Sequence, residues 1–156
     1  MKGFFNQLLR IDLSRERTAV EPLSESVLKA FLGGKGLGSF LLIRENPPRI
    51  DPFSPRNHLI FTLGPLSDIP FYGSSRYAVF TKSPQTGIYS ESYSGGKVTL
   101  SFSRTGFDAV IIEGRSRDPV FLEISDQGVH FHSAQDLWGK ETYEAEETIL
   151  RSVGKK

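Results

Sequence analysis

The chain has 156 residues, with 19 Lys and Arg against 18 Asp and Glu, a net charge of +1, and no cysteine. This length is typical of one domain with a real hydrophobic core, and the balanced charge argues against a nucleic-acid binder or an anionic-membrane partner. The lack of cysteine excludes disulfides, a thiolate nucleophile, cysteine-ligated zinc and an iron–sulfur cluster held by this chain alone. No apolar stretch approaches the roughly 20 residues that span a bilayer, so a cytoplasmic protein is expected.

The first third of the sequence predicts a β-hairpin followed by two helices. Residues 5–13 and 18–20 read as strands joined by a short turn. Ser24 is a candidate N-cap for a helix with Val27, Leu28, Phe31 and Leu32 on one face, and Gly33-Gly34 is expected to end that helix in a left-handed conformation. A second helix is predicted from about 37 to 45, and the four prolines of 46–57 indicate a loop.

The rest of the chain predicts further strands and a closing helix. Strands are expected at 58–63, 77–81, 88–90, 109–113, 120–124 and 129–132. Residues 97–104 stay open between helix and strand, because Val98, Leu100 and Phe102 alternate. An acidic helix is predicted at 142–153, with Ala145, Ile149 and Val153 on one face. This order favours an α+β fold with a mixed or antiparallel sheet and flanking helices.

A glycine-rich turn, Gly33 to Gly38, leads into the second predicted helix and could present backbone N–H groups to a phosphate. It follows a helix rather than a strand, unlike the dinucleotide motif, and its Gly-Lys-Gly replaces the Gly-Lys-Ser/Thr of a P-loop. A helix–helix turn is therefore favoured over an anion site, and a small nucleotide-binding enzyme built on this motif is disfavoured.

Two other small-residue segments each end in a cation. Gly73-Ser74-Ser75 precedes Arg76, and Ser94-Gly95-Gly96 precedes Lys97 after the strand predicted at 88–90. The two could converge on one anionic ligand through arginine contacts and close backbone approach. For each segment alone, an ordinary turn with a solvated cation is the favoured interpretation.

The remaining polar residues predict no metal site and no catalytic residue. His130 and His132 share one face of a strand, but His58 starts a separate strand and no carboxylate stands at matched spacing. Four glutamates near the start of the last helix are best explained as a solvated face: Glu141, Glu144, Glu146 and Glu147. No Ser-His-Asp order or activated nucleophile stands out.

Seven segments in order together resemble the N-terminal domain of the tungsten- and molybdenum-pterin aldehyde ferredoxin oxidoreductases: residues 32–38, 64–66, 75–77, 81–87, 94–96, 106–114 and 137–140. The resemblance covers essentially the whole chain. It implies an α+β domain that forms a base for a metal–bispterin cofactor. It also implies that Arg76 reaches the region of the pterin and an adjacent iron–sulfur cluster, and that Ser94, Gly95 and Gly96 approach the pterin and its phosphates through backbone groups.

The resemblance also implies a role for the backbone of Tyr93. Family members can carry asparagine at this position, where a backbone carbonyl helps to hold a magnesium ion between pterin phosphates. A backbone carbonyl survives the substitution, whereas the bulk of tyrosine is a departure from the pattern. The candidate cofactor-binding residues are therefore Arg76, Tyr93, Ser94, Gly95 and Gly96.

By the same resemblance, residues 1–156 are a partial N-terminal pterin-binding domain, without the second half and the later domains. The parent protein is expected to oxidise aldehydes to carboxylic acids, passing electrons through a tungsten- or molybdenum-bispterin and a [4Fe-4S] cluster to ferredoxin. The cluster would not be ligated by this chain, which would seat the cofactor, require the remainder of the parent protein and be inactive alone. A non-catalytic scaffold that keeps the fold without the cofactor is the alternative; the aldehyde, the metal and homo-oligomerisation stay open.

Overall fold

A computed structural model describes residues 1–67, 69 and 71–154. Within them the strands are β1 (Gln7–Asp12), β2 (Arg17–Pro22), β3 (Leu59–Leu63), β4 (Arg76–Lys82), β5 (Tyr89–Gly95), β6 (Ala109–Glu113), β7 (Val120–Ser125) and β8 (Gly128–Ser133). The α-helices are α1 (Glu25–Phe31), α2 (Gly34–Glu45), α3 (Lys97–Arg104) and α4 (Thr142–Val153). The predicted α+β class is confirmed.

Six strands form one mixed sheet in the order β2-β1-β6-β3-β4-β5. Strands β1 and β6 are parallel, and the other neighbours in this sheet are antiparallel. Strands β7 and β8 form a separate antiparallel hairpin. The sheet therefore has β2 at one edge and β5 at the other, and β6 and β3 occupy its centre.

The sheet is covered on both faces. Side chains alternate along each strand, so Leu8, Ile60, Phe80 and Ile111 pack with α1 and α2 on one face. On the opposite face, Leu9, Ile11 and Val110 form a second core. That second core is completed by α3 and by the β7–β8 hairpin, through Phe102, Leu122, Ile124, Val129 and Phe131.

The glycine-rich segment joins α1 to α2, as predicted, with Gly33 in the turn and residues 34–38 in the start of α2, and it serves packing. A Cβ at Gly38 would lie 2.1 Å from the Phe80 ring, and one at Gly33 would lie 2.4 Å from the carbonyl oxygen of Leu63. Only glycine allows α2 to lie this close to β3 and β4. Helix α2 begins at Gly34, about one turn earlier than predicted, because this packing overrides the weak helix propensity of glycine.

The end of α1 differs from the prediction. Leu32 and Gly34 have positive φ values of 59° and 49°, whereas Gly33 between them is extended with a φ of −166°. Leu32 is therefore the positive-φ residue that directly follows α1, and of the predicted glycine pair only Gly34, the first residue of α2, has a positive φ. The start of α1 is as predicted, because the Ser24 hydroxyl accepts a hydrogen bond from the Val27 N–H at 3.3 Å. Among the described residues no single helix is long and apolar enough to cross a membrane; α1 and α2, bent by 120° at their junction, reach that length and apolar composition only together.

The segment that the sequence left open, 97–104, is helix α3. Thr99 and Ser103 are buried at helical spacing, whereas Val98 and Leu100 are exposed. The alternation of Val98, Leu100 and Phe102 is therefore not the alternation of a strand. The acidic helix α4 has the predicted bounds, and its four glutamates are exposed as expected.

Arg10 ties the sheet to helix α2. Its guanidinium, with 18% of the side chain exposed, bonds Glu21 on β2 at 2.5 Å, Glu113 on β6 at 2.9 Å and Glu45 on α2 at 2.9 Å. Burial raises the pKa of Glu45, but the hydrogen bond from Arg44 and the charge of Arg10 outweigh it and hold that pKa below its usual value. Arg10 therefore compensates carboxylates from three different elements.

Replacing Gly38 with alanine should destabilise the fold. Alanine in place of glycine inside a helix normally stabilises by about 1 kcal/mol, but here the new Cβ meets the Phe80 ring, and overpacking of this kind costs roughly 1–3 kcal/mol. Urea denaturation measures the change in the free energy of unfolding, with exposed Ile43→Ala on the same helix as control. In the double variant with Phe80→Leu the two losses should be less than additive; full additivity would contradict the contact.

Replacing Arg10 with methionine should cost roughly 3 kcal/mol, because Glu21 and Glu113 lose their arginine and Glu45 keeps only Arg44. Arg15→Met is the matched control, since Arg15 is 72% exposed in its pair with Asp12 and such pairs contribute less than about 1 kcal/mol.

The difference between wild type and Arg10→Met should depend on pH. Arg44 and Arg10 together lower the folded-state pKa of Glu45. The part due to Arg10 stabilises the fold above the unfolded pKa and is lost as the pH falls through the folded pKa. Denaturation measured from neutral to acidic pH should show the two proteins converging; a constant difference would contradict the assigned role of Arg10.

Candidate cofactor-binding site

The two segments that the sequence offered as a converging pair are neighbours at one end of the sheet. Arg76 is the first residue of β4, and in the β4–β5 register it lies opposite Gly95, the last residue of β5. The next pairs are Tyr77 with Ser94 and Ala78 with Tyr93. Backbone hydrogen bonding of the two strands thus sets the position of Arg76 relative to 93–95.

Ser94 and Gly95 belong to β5, so the prediction of a turn after a strand at 88–90 is corrected. Strand β5 extends over seven residues because every one of them pairs with β4. The sequence carried a signal for this, since Tyr89, Glu91 and Tyr93 alternate with serines, which is the period of a strand. The turn consists of Gly96, which directly precedes α3.

Glycine is required at both 95 and 96, for different reasons. A Cβ at Gly95 would lie 2.7 Å from the carbonyl oxygen of Ser75. Gly96 has a φ of +78°, and a Cβ there would meet no atom within 4 Å. The Ser75 hydroxyl donates to the Gly96 carbonyl at 2.7 Å and ties the two segments together, a contact that the sequence did not predict. The backbone at Gly96 therefore faces open space.

Two cations stand beside this open backbone. Arg76 and Lys97 are exposed, and within residues 1–67, 69 and 71–154 neither forms a salt bridge. Helix α3 begins at Lys97 with no side-chain cap and no acidic residue in its first turn, so the N–H groups of that turn add positive potential. An open groove of about 610 Å³ runs past Ser74, Ser75, Gly96 and Lys97, but Ile69, Phe71 and Leu100 also line it and Arg76 does not. What suits an anion here is the exposed backbone of Gly96 with Lys97 and the start of α3 beside it.

The side chain of Tyr93 lies on the face of the sheet that α1 and α2 cover. Its ring meets Phe80 edge-to-face with centroids 6.4 Å apart, and partial burial together with Glu91 raises its pKa. Glu91 also accepts hydrogen bonds from Lys35 at 2.7 Å and from Tyr89 at 2.6 Å. The bulk of the tyrosine is therefore accommodated beside Phe80, within the polar surroundings of β5 and α2.

The histidines lie elsewhere. His58 is buried just before β3, with Nδ1 2.7 Å from Asn46 Oδ1 and Nε2 3.1 Å from Glu113 Oε2. His130 and His132 lie on β8. Neither group contributes to the Arg76–Gly96 region, so the candidate site consists of backbone, serine hydroxyls and cations.

The comparisons with known proteins give one family. The sequence pattern of the "Aldehyde ferredoxin oxidoreductase, N-terminal domain" matches residues 8–156. The tungsten-containing aldehyde ferredoxin oxidoreductase of Pyrococcus horikoshii is 39% identical over 156 residues, which are 100% of this chain and 26% of that protein. The Thermococcus kodakarensis protein of the same name is 40% identical over 154 residues, 99% of this chain and 26% of that protein.

A more distant relative and a solved structure agree. The aliphatic sulfonate oxidoreductase WOR-like subunit of Pyrococcus furiosus is 33% identical over 156 residues, 98% of this chain and 25% of that protein. A chain of the active site complex BamBC of benzoyl coenzyme A reductase, solved with 1,5-dienoyl-CoA, matches with a TM-score of 0.93 and 32% identity, over 97% of this chain and 23% of that chain. This chain thus spans about a quarter of the length of the curated relatives it matches.

The predicted family and fold are therefore confirmed, and the chain belongs to the aldehyde ferredoxin oxidoreductase family, whose N-terminal domain it matches over residues 8–156.

Proposed function

We propose that this chain seats a tungsten–bispterin cofactor in a larger oxidoreductase, with Arg76 and the backbone of residues 93–96 as its contribution to that cofactor. The observation that carries the proposal is the register of β4 and β5, which sets Arg76 opposite Gly95, beside the open backbone of Gly96. The names of the tungsten-containing relatives support the identity of the metal.

The residues present fit a phosphate-bearing cofactor. Gly96 leaves free the space that a Cβ would fill, so a ligand can approach the backbone closely. Arg76 offers a planar fork suited to bidentate phosphate contacts, and Lys97 adds a point charge. The positive end of α3 favours the same negative charge. A metal–pterin group, when bound, supplies the redox chemistry, which the protein orients and tunes.

Each residue then has a stated task. Arg76 would orient the pterin side of the cofactor and neutralise its phosphate, and Ser94, Gly95 and Gly96 would contribute backbone groups. The carbonyl of Tyr93 would help to hold a magnesium ion between phosphates, while its ring stays packed against Phe80. None of these groups moves a proton or forms a bond to substrate, so this chain positions the cofactor, and catalytic residues would lie in other domains.

The parent protein would oxidise an aldehyde to a carboxylic acid and pass two electrons through a [4Fe-4S] cluster to ferredoxin. The relatives' names support an aldehyde and ferredoxin, and the absence of cysteine requires that the cluster be held outside this chain. A cytoplasmic location is part of the same proposal. The alternative is a scaffold module that keeps the fold without the cofactor. Metal analysis and pterin fluorescence of the natively purified protein distinguish the two, because a scaffold would contain neither tungsten nor molybdenum.

Replacing Arg76 with alanine in the full-length protein should lower tungsten and pterin occupancy together. Loss of a charged hydrogen bond costs about 1.5–3 kcal/mol, which corresponds to roughly 10- to 100-fold weaker retention of the cofactor. Arg76→Lys should be intermediate, because lysine keeps the charge and loses the bidentate geometry.

Arg56→Ala is the matched control for this experiment. Arg56 is also an exposed arginine, but it lies beside Asn57, which bonds Lys82 at the far end of β4. The control should keep full occupancy by elemental analysis and fluorescence. Unchanged metal content in Arg76→Ala would contradict the role given to Arg76.

A further inference from the structure

The outer face of the β7–β8 hairpin carries two imidazoles and a carboxylate. In the antiparallel register Glu123 lies opposite His130, and Phe121 lies opposite His132. The alternating residues Leu122, Ile124, Val129 and Phe131 pack into the second core. Because side chains alternate across a strand, Glu123, His130 and His132 share the face that points away from that core.

No carboxylate stands at metal-ligand spacing from the histidines in the sequence, but Glu123 on the neighbouring strand β7 lies beside them in the fold. Glu123 Oε2 lies 3.0 Å from His132 Nε2. Two ligand atoms on a tetrahedral zinc ion, with bonds of 2.0–2.1 Å, are about 3.3 Å apart. The hydrogen-bonded pair would therefore have to separate by only about 0.3 Å to act as two zinc ligands.

The third candidate ligand, the His130 ring, is close to His132 but must rotate to reach the same metal ion. The ring centroids of His130 and His132 are 6.3 Å apart with the planes inclined by 48°, whereas two imidazoles on one tetrahedral zinc have centroids about 5 Å apart. As they stand, no three His, Asp or Glu side chains of the described chain converge on one point. His130 is exposed, so it is free to rotate and close the distance.

We propose that Glu123, His130 and His132 form a binding site for a borderline divalent transition metal, of which Zn²⁺ is the representative. Imidazole nitrogens with one carboxylate suit zinc rather than calcium or magnesium, which prefer an all-oxygen shell. The metal takes the place of the hydrogen on His132 Nε2, and the neutral ring then carries its hydrogen on Nδ1. Phe121 stacks on the His132 ring with centroids 4.7 Å apart and planes 13° from parallel, which holds one ligand in place.

This site is distinct from the cofactor region and does not depend on the proposed function. Its ligands lie on the hairpin that covers the second core, whereas Arg76 and Gly96 lie at the β4–β5 end of the sheet. With three protein ligands, the fourth position of a tetrahedral ion is left to water or to a ligand from another molecule.

The test is titration of the full-length protein with Zn²⁺ by isothermal calorimetry, and with Co²⁺ by visible absorption as a report on the ligand set. Wild type should bind one zinc ion that His130→Ala does not bind or binds much more weakly. The loss in zinc affinity should exceed the roughly 10- to 100-fold that removal of an outer-shell partner costs. Glu123→Gln should lose the same ion while it keeps a hydrogen bond to His132. The resident metals are common to all variants and cancel in the difference.

Asp126→Asn is the matched control, because it removes an exposed carboxylate at the tip of the same hairpin. It should keep the zinc ion and the cobalt spectrum. Equal zinc binding by wild type, His130→Ala and Glu123→Gln would overturn the proposal, and so would equal losses in Glu123→Gln and Asp126→Asn. Thermal unfolding checks that each variant folds; if His130→Ala does not, Glu123→Gln, which keeps the side-chain shape, decides.

Discussion

The burial of strand β6 on both of its faces is the constraint on which the rest of the fold depends. Ala109 and Ile111 point to the helices and Val110 points to the opposite face, and all three are buried. A strand that is apolar on both sides must be covered on both sides, so α1 and α2 form one layer and α3 with the β7–β8 hairpin forms the other. This arrangement leaves the less buried strand β5 at the sheet edge.

The candidate site follows from that edge. Strand β5 pairs with β4 through seven residue pairs, and this ladder places Arg76 opposite Gly95. The close packing of α2, which Gly38 permits against Phe80, supports β4 from behind. A cofactor site needs groups held by rigid elements, and here a strand pair, one serine hydroxyl and a helix start provide them.

The sequence predicted those parts of the fold in which local pattern and burial agree. The N-terminal hairpin, the Ser24 cap and the bounds of α4 are confirmed, because each depends on neighbouring residues alone. The start of α2 was predicted too late because the close approach of glycine to another strand cannot be read from local propensity.

The same distinction holds for the candidate site. The sequence paired the segments of Arg76 and Gly96 through their shared character, and the structure makes them neighbours. The full length of β5 was missed because its partner strand determines it. The proximity of Glu123 to His132 could not be predicted either, since it depends on the cross-strand register of a hairpin, in which the turn geometry sets which residues face each other.

The distribution of charge explains why an anion would bind at one end of the sheet and not at the other. The net charge of the chain is only +1, but the two ends of the sheet differ in how their charges are compensated. At the end where β6 finishes, Glu45 and Glu113 are neutralised by Arg10. At the end where β4 begins, the buried carboxylate of Asp108 accepts hydrogen bonds from the N–H groups of Phe5 and Asn6, and burial raises its pKa. The exposed cations of that second end are therefore left to attract an external anion. This separation, rather than the total charge of the chain, supports the proposal that the region of Arg76 binds a phosphate-bearing ligand.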